Sequence, residues 1–241
     1  MAGHNRPLYC NTGDVSALSP TPRTRLRRQP DRAQQDRSAL LAVLDQGLIC
    51  HLGVIIDGAP VVLPTVYAVD ADGPDEDGTL YLHGSVASRS LAEGQAGGIC
   101  VTVTHIDGLV LARSGFHHSM NYRSAVILGR GRLVTDPDER AHALDLVVDH
   151  VVPGRASTLR DHTRKELAAT TVVALSLHEA SVKERSGGPI DDSEDVTAAV
   201  WAGVLPLRVV AGDVTTAADA AGLAVPADVL TRAAQLAGQS A

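Results

Sequence analysis

Aromatic side chains make up only 2% of this sequence of 241 residues, with one tryptophan (Trp201) and one phenylalanine (Phe116). Any core must therefore be aliphatic, and apolar residues, at 44%, are numerous enough to build one. Cysteine is scarce as well. Cys10, Cys50 and Cys100 stand far apart with no CxxC pair, which argues against a disulfide framework or a thiolate metal site and for reduced thiols. No apolar run approaches the ~20 residues of a membrane-spanning helix. His4 and Arg6 are not followed by the apolar stretch of a secretory signal. Positive charge is in deficit: the net charge is -7, whereas a nucleic-acid binder needs a basic surface to displace counterions. The local exception is Arg23, Arg25, Arg27, Arg28 and Arg32, read as a solvated lead-in. The expectation is a cytoplasmic chain without membrane or nucleic-acid partners, forming one domain with decorated ends or at most two small ones.

Residues 1–30 are polar and carry Pro20, Pro22 and Pro30, the composition of a flexible arm. Asp31 is placed to cap a helix after Pro30, with Leu40, Leu41, Val43 and Leu44 on its apolar face and Gly47 as its stop. The period then changes to two. Leu48 to Ile56 alternates as a strand, Asp57-Gly58 reads as a two-residue hairpin, and the return strand carries Val61, Leu63, Thr65 and Tyr67. An acidic loop, 70–78, leads to a third strand at Leu80–Leu82, and residues 85–96 suit a helix with Leu91 inward. Ile99–Ile106 is strongly β-branched and Leu109–Ala112 extends it. Tyr122–Val134 reads as one strand bent at Gly129 and Gly131. Asp136-Pro137 starts a helix with Leu144, Val147, Val148 and Val151 on one face, and Thr171–Leu177 is a strand continuing towards Val182. Six or so strands in hairpin order predict an antiparallel barrel, mainly β with flanking helices, over 31–211. A helical tail occupies 212–241, with its helix at Ala227–Ala237.

Three strings carry chemistry. HGSVASRSL, from His83 to Leu91, lies where a strand ends and a helix begins. Free backbone N–H groups there, with Ser85, Ser88 and the guanidinium of Arg89, make a phosphate cradle; an ordinary helix start with a surface arginine is the plainer reading. In RSGFHHSMNYRSAVILG, from Arg113 to Gly129, His117 and His118 are adjacent and on a strand point to opposite faces, so no metal site is expected. Asn121, Arg123 and Ser124 offer donors at a strand mouth, suited to an electron-rich heterocycle or to an ordinary polar edge. In VWAGVLPL, Trp201 either docks the tail on the core or a partner, or covers a planar ligand.

The order of LPTVYA (Leu63–Ala68), LYLHGSVASRSL (Leu80–Leu91), FHHSMNYRSAVILG (Phe116–Gly129), VKERSGGPIDD (Val182–Asp192) and VWAGVLPL resembles the pyridoxamine 5'-phosphate oxidase-like superfamily. The nearest likeness is to its branch of flavin-nucleotide-binding proteins related to nitroimidazole-resistance proteins. The resemblance implies an FMN-binding split β-barrel, a homodimer with FMN in two clefts at the subunit interface. It implies that Pro64, Thr65 and Val66 line the flavin ring and that Asn121, Arg123 and Ser124 approach ring or phosphate. Where the superfamily grips phosphate with Ser-Arg-Lys, this chain has Ser88, Arg89 and Ser90. The lysine is lost, and His83 or Arg123 is the substitute cation or donor. The C-terminal arginine and histidine that hold substrate phosphate in true pyridoxamine phosphate oxidases are missing.

The function implied is an FMN-dependent oxidoreductase, in which the flavin does the redox chemistry. A reduced nicotinamide would serve as donor and a small molecule such as a nitro compound or quinone as acceptor. His117 or His118 would be the proton donor. Alternatives are a flavin carrier or sensor without turnover, a barrel that takes deazaflavin or haem instead, and a structural dimer with an empty cleft.

Overall fold

Asp57 and Gly58 both take positive φ, 53° and 77°, the two-residue hairpin geometry that matches strand twist. This turn joins β2 to β3 in a computed structural model that describes residues 17–18 and 21–238. In chain order the elements are β1 (Ala33–Gln34), α1 (Arg37–Gln46), β2 (Cys50–Ile56), β3 (Ala59–Thr65), β4 (Tyr67–Asp70) and β5 (Thr79–Ser85). They continue with α2 (Arg89–Gly97), β6 (Ile99–Leu111), β7 (Ser119–Gly129), β8 (Arg132–Leu133), α3 (Pro137–Val151) and α4 (Arg164–Ala169). The last are β9 (Thr170–Ser176), β10 (Ala180–Arg185), β11 (Gly203–Pro206) and α5 (Ala227–Gly238).

The strands form two antiparallel sheets. One runs β1-β10-β7-β6-β2-β3, with β11 also on β6; the other runs β4-β5-β9-β8. The chain crosses between them at Val66, through α2, at Arg130-Gly131 and at 177–179. The ladders do not close into one ring, so the barrel is split. Alternation puts Cys50, Leu52, Val54, Val101, Val103, Ala125 and Ile127 inward from the first sheet, against Val69, Leu80, Leu82, Val173 and Leu175 from the second. α1 closes this aliphatic core with Leu40, Val43 and Leu44.

Four boundaries differ from the sequence reading, each for a tertiary reason. Pro30–Arg32 is a short 3-10 turn, and α1 starts after Asp36 instead of Asp31, because Ala33 and Gln34 pair with Lys183 and Val182. The strand read through Tyr67 divides at Val66 between the sheets. The strand read through Val134 stops at Gly129. A Cβ on Gly129 or Gly131 would lie 2.6 Å from Leu175 Cδ1 or 2.5 Å from Val173 Cγ1, so the backbone can hug β9 here as it changes sheet. The strand towards Val182 is two strands, β9 and β10, in different sheets.

α3 starts as its sequence dictates: Asp136 accepts from the backbone N–H groups of Asp138 and Glu139, and Pro137 occupies the first turn. Within the span read as an arm, Leu18 is buried in the core and Arg23 pairs with Glu179; residues 1–16 and 19–20, Cys10 among them, lie outside the described residues. Cys50 and Cys100 are free thiols, and burial pushes the Cys50 thiol up to about 12. No described helix is long and apolar enough to cross a membrane.

Candidate functional site

α2 begins without a side-chain cap. Ser88 stands at its N-cap position, yet its Oγ is 3.1 Å from Ser90 Oγ and makes no capping bond. The other serine of the string, Ser85, accepts from the backbone N–H of Ala87 at 3.3 Å. The first turn of α2 thus presents N–H groups that no capping side chain takes, beside several hydroxyls and at the positive end of the helix dipole. Gly84 lies tight below: a Cβ there would be 3.0 Å from Leu91 Cδ1. Arg89 stands on the rim, 60% exposed, and holds Asp57 of the β2–β3 turn at 2.8 Å. An ion pair so exposed is easily given up for another anion.

His83 lies on β5, one turn before this helix start. Its Nδ1 is buried and has no hydrogen-bond partner among the described residues, and burial pushes its pKa below the usual histidine value. β4 and β5 pair with Tyr67 opposite Leu82, which carries Val66 to the level of His83. Val66, where the chain leaves one sheet for the other, is therefore beside His83, with Pro64 and Thr65 just before it on β3. Ser85, Ser88 and Arg89 follow His83 to the start of α2, where Arg89 reaches Asp57 at the other end of β3.

His117 and His118 lie away from them within one chain, whereas Arg123 and Ser124, opposite His105 and Thr104, are two or three residues along β6 from Thr102. Pro64 is level with Thr102 on β6 through His51, whereas Ser119 is level with Val110, eight residues further along the same strand. That is about 26 Å at 3.3 Å per residue. On β7, Asn121 and Arg123 face one side and Ser124 the other. Arg123 is committed to Asp107 through two bonds of 3.0 and 2.8 Å and to Gln46 at 2.6 Å. Ser124 donates to the Lys183 carbonyl at 3.4 Å. Asn121 donates to the Gly187 carbonyl at 3.1 Å and accepts from Arg185. His117 pairs with Asp192 at 3.1 Å, while His118 donates from Nδ1 to the Ser114 carbonyl at 2.8 Å. Trp201 is 68% exposed. Its ring lies over Gly203, where a Cβ would come within 2.7 Å of it.

The sequence reading missed the clasp that holds the chain after β10. Asp191 accepts from the backbone N–H and the guanidinium of Arg113, both at 2.7 Å, and these bonds, the backbone one foremost, hold its carboxyl below the usual range. Arg185 is buried and donates to Asn121, Gly187 and Gly188, with no carboxylate partner among the described residues. Paired glycines followed by paired aspartates, Gly187-Gly188 and Asp191-Asp192, are the only trace of this in the sequence. No group of three or more His, Cys, Asp or Glu among the described residues is placed to hold a metal ion.

The sequence model described as pyridoxamine 5'-phosphate oxidase matches residues 36–184, from the residue before α1 to the end of β10. The chain belongs to this family. Several solved structures superpose on it. The flavocytochrome Anf3 from Azotobacter vinelandii is 36% identical with a TM-score of 0.80, over 89% of this chain and 98% of that one. The FAD and haem binding protein from Mycobacterium smegmatis is 37% identical with a TM-score of 0.77, over 83% and 97%. A protein named for 5-nitroimidazole antibiotic resistance from Bacteroides thetaiotaomicron shares the fold at 22% identity and a TM-score of 0.51, over 63% and 85%. No curated protein matches.

Proposed function

We propose that this member of the pyridoxamine 5'-phosphate oxidase family is a flavin-binding redox protein, with the phosphate end of the flavin at the start of α2. The uncapped first turn of α2 beside Arg89 carries the reading. The donor set fits a flavin nucleotide. Backbone N–H groups and serine hydroxyls take phosphate oxygens, Arg89 exchanges Asp57 for phosphate, and the orphaned Nδ1 of His83 is a hydrogen-bonding atom in need of a partner.

The FAD bound by the Mycobacterium smegmatis relative favours FAD over the FMN expected from sequence.

We further propose a homodimer. β3 is an edge strand whose outer side has no partner strand among the described residues, and it exposes Val62 and Leu63, with Val62 63% accessible. Apolar edges of this kind are covered in stable proteins. A two-fold partner brings the His118 end of one chain towards the α2 start of the other, uniting the two groups of site residues.

The bound flavin supplies hydride and electron transfer. The chain's own residues bind phosphate, line the ring with Pro64, Thr65 and Val66, and hold His83 neutral beside it. A reduced nicotinamide is the proposed donor, and a nitro compound or quinone the proposed acceptor. Two relatives whose names record a haem or cytochrome support haem as a second resident group and electron acceptor. The experiment is an absorption spectrum of the purified protein with the released chromophore weighed by mass spectrometry. Flavin bands and an FAD mass support the reading. A colourless protein that takes up neither FAD nor FMN overturns it.

A further inference from the structure

The far end of the β6–β7 hairpin carries an exposed apolar face. Leu205 lies opposite Leu109, and Leu109 opposite Met120, so the three side chains share one side of the β11–β6–β7 ladder. Gly203 pairs with Leu111 in the next row of that side. Because the Trp201 ring occupies the space where a Gly203 side chain would project, Trp201 lies on this same face. Met120 is 48% exposed and Leu205 51%. His118 caps the 3-10 turn Gly115–His117 (φ -57°, ψ 140°), two residues before Met120, and so stands at the near end of that face. The neighbouring Phe116 is 90% exposed. A tryptophan, a phenylalanine and aliphatic side chains left open to water beside a histidine form a surface suited to a flat apolar macrocycle.

His118 is also oriented as a metal ligand is. Its Nδ1–H donates to the Ser114 carbonyl, which fixes the tautomer with the lone pair on Nε2, and Nε2 has no partner among the described residues. The other described histidines lack one element or the other. His105 and His150 donate from Nε2 to the Val43 and Gly47 carbonyls. His117, His142 and His162 use Nε2 in pairs with Asp192, Asp70 and Asp145. His178 sits between Glu76 and Asp77, carboxylates that repel a carboxylate-bearing ligand. No hydrogen bond among the described residues orients His51, and His83 belongs to the flavin region. The buried Arg185, without a carboxylate partner among the described residues, bonds to Asn121, three residues from His118 and about 10 Å along the chain.

We propose that His118, through Nε2, is an axial ligand of a haem bound beside the Leu109, Met120, Leu205 and Trp201 face. This rests on the haem reading above, and it takes His118 out of the proton-donor role expected from sequence.

Full-length flavoprotein is titrated with ferric haem, following the Soret band and the fluorescence of Trp201, the only tryptophan in the chain. The wild-type chain is expected to develop a histidine-ligated haem spectrum and lose most of its tryptophan emission. His118→Ala is expected to bind haem at least tenfold more weakly and without that spectrum, and free imidazole restores it. His118→Met, which keeps a ligating atom, retains haem with an altered spectrum, while His117→Ala behaves as wild type. Flavin content and thermal unfolding establish that each variant is folded. A His118→Ala variant with wild-type affinity and spectrum overturns the assignment of the ligand alone. A wild-type chain that takes no haem overturns the haem reading with it and leaves the flavin reading to its own chromophore test.

Discussion

The hydroxyl of Tyr67 donates to the Leu44 carbonyl at 2.6 Å and lies 3.1 Å from that of Gly47. Through this bond the first strand of the four-stranded sheet closes the end of the helix that plugs the core. α1 lacks a left-handed glycine cap, since Gly47 has φ -76°. Tyr67, His105 and His150 instead take the Val43, Leu44 and Gly47 carbonyls. The helix end is thus satisfied by side chains from three separate elements.

Tyr67→Phe keeps the ring and removes the donor. The Leu44 carbonyl is then buried without its partner, and the expected loss of stability is about 1–3 kcal/mol. Urea unfolding should show a lower midpoint at an unchanged slope; an unchanged midpoint would show that the bond contributes nothing.

Stability should fall on mild acidification. Burial pushes the pKa values of His83 and His150 below the ordinary histidine value of about 6.5, so the unfolded chain takes up protons before the folded one does. Their contribution is complete above about pH 6.5 and is lost as pH drops below it, until the folded-state values are passed. Melting temperatures between pH 7.5 and 5.5 test this. The double variant His83→Gln/His150→Gln is expected to have a shallower acid slope.

Arg89 and Asp57 should act in opposite directions on flavin binding. Arg89→Ala removes the cradle's cation and is expected to weaken FAD affinity at least tenfold, with little change in the melting temperature of the flavin-free protein, because the pair is exposed. Asp57→Asn leaves Arg89 unpaired, and asparagine tolerates the positive φ at this position. It should bind FAD as tightly as wild type or more tightly, most clearly at low salt. Equal affinities for all three proteins would remove Arg89 from the site.

A charge on the bare edge should separate the subunits. Val62→Lys places an ammonium on β3 where the proposed partner chain lies. Light scattering should show the wild type as a dimer and the variant as a folded monomer with reduced flavin content. A variant still dimeric at micromolar concentration would move the interface elsewhere.

Much of the barrel is legible in the sequence because its signals are local. Asp57-Gly58 specifies its turn, Cys50 to Ile56 its alternation, and Asp136-Pro137 its helix start. What is not legible depends on distant partners. Nothing near Val66 marks the step between sheets, and Ala33-Gln34, Arg132-Leu133 and Gly203–Pro206 are strands only because β10, β9 and β6 lie alongside. The site divides in the same way. The string from His83 to Arg89 folds into one place because it is contiguous. That Arg123 is held by Asp107, that Asp191 folds back onto Arg113 and that Arg185 is buried are long-range events with no periodic or motif signature.

β6 serves two masters along one edge: β2 pairs with it near Thr102, and β11 takes the stretch from Gly108 to Leu111. The family match ends at residue 184, before the second of these begins. A strand longer than its partner offers a vacant berth where an extension can anchor without altering what is already built. The segment from Asp191 to α5 is moored at this berth and at two other points, the Asp191–Arg113 clasp and the contacts of Asp228 with Arg155 and of Arg232 with the Val151 carbonyl, so it is laid over a barrel that is complete without it.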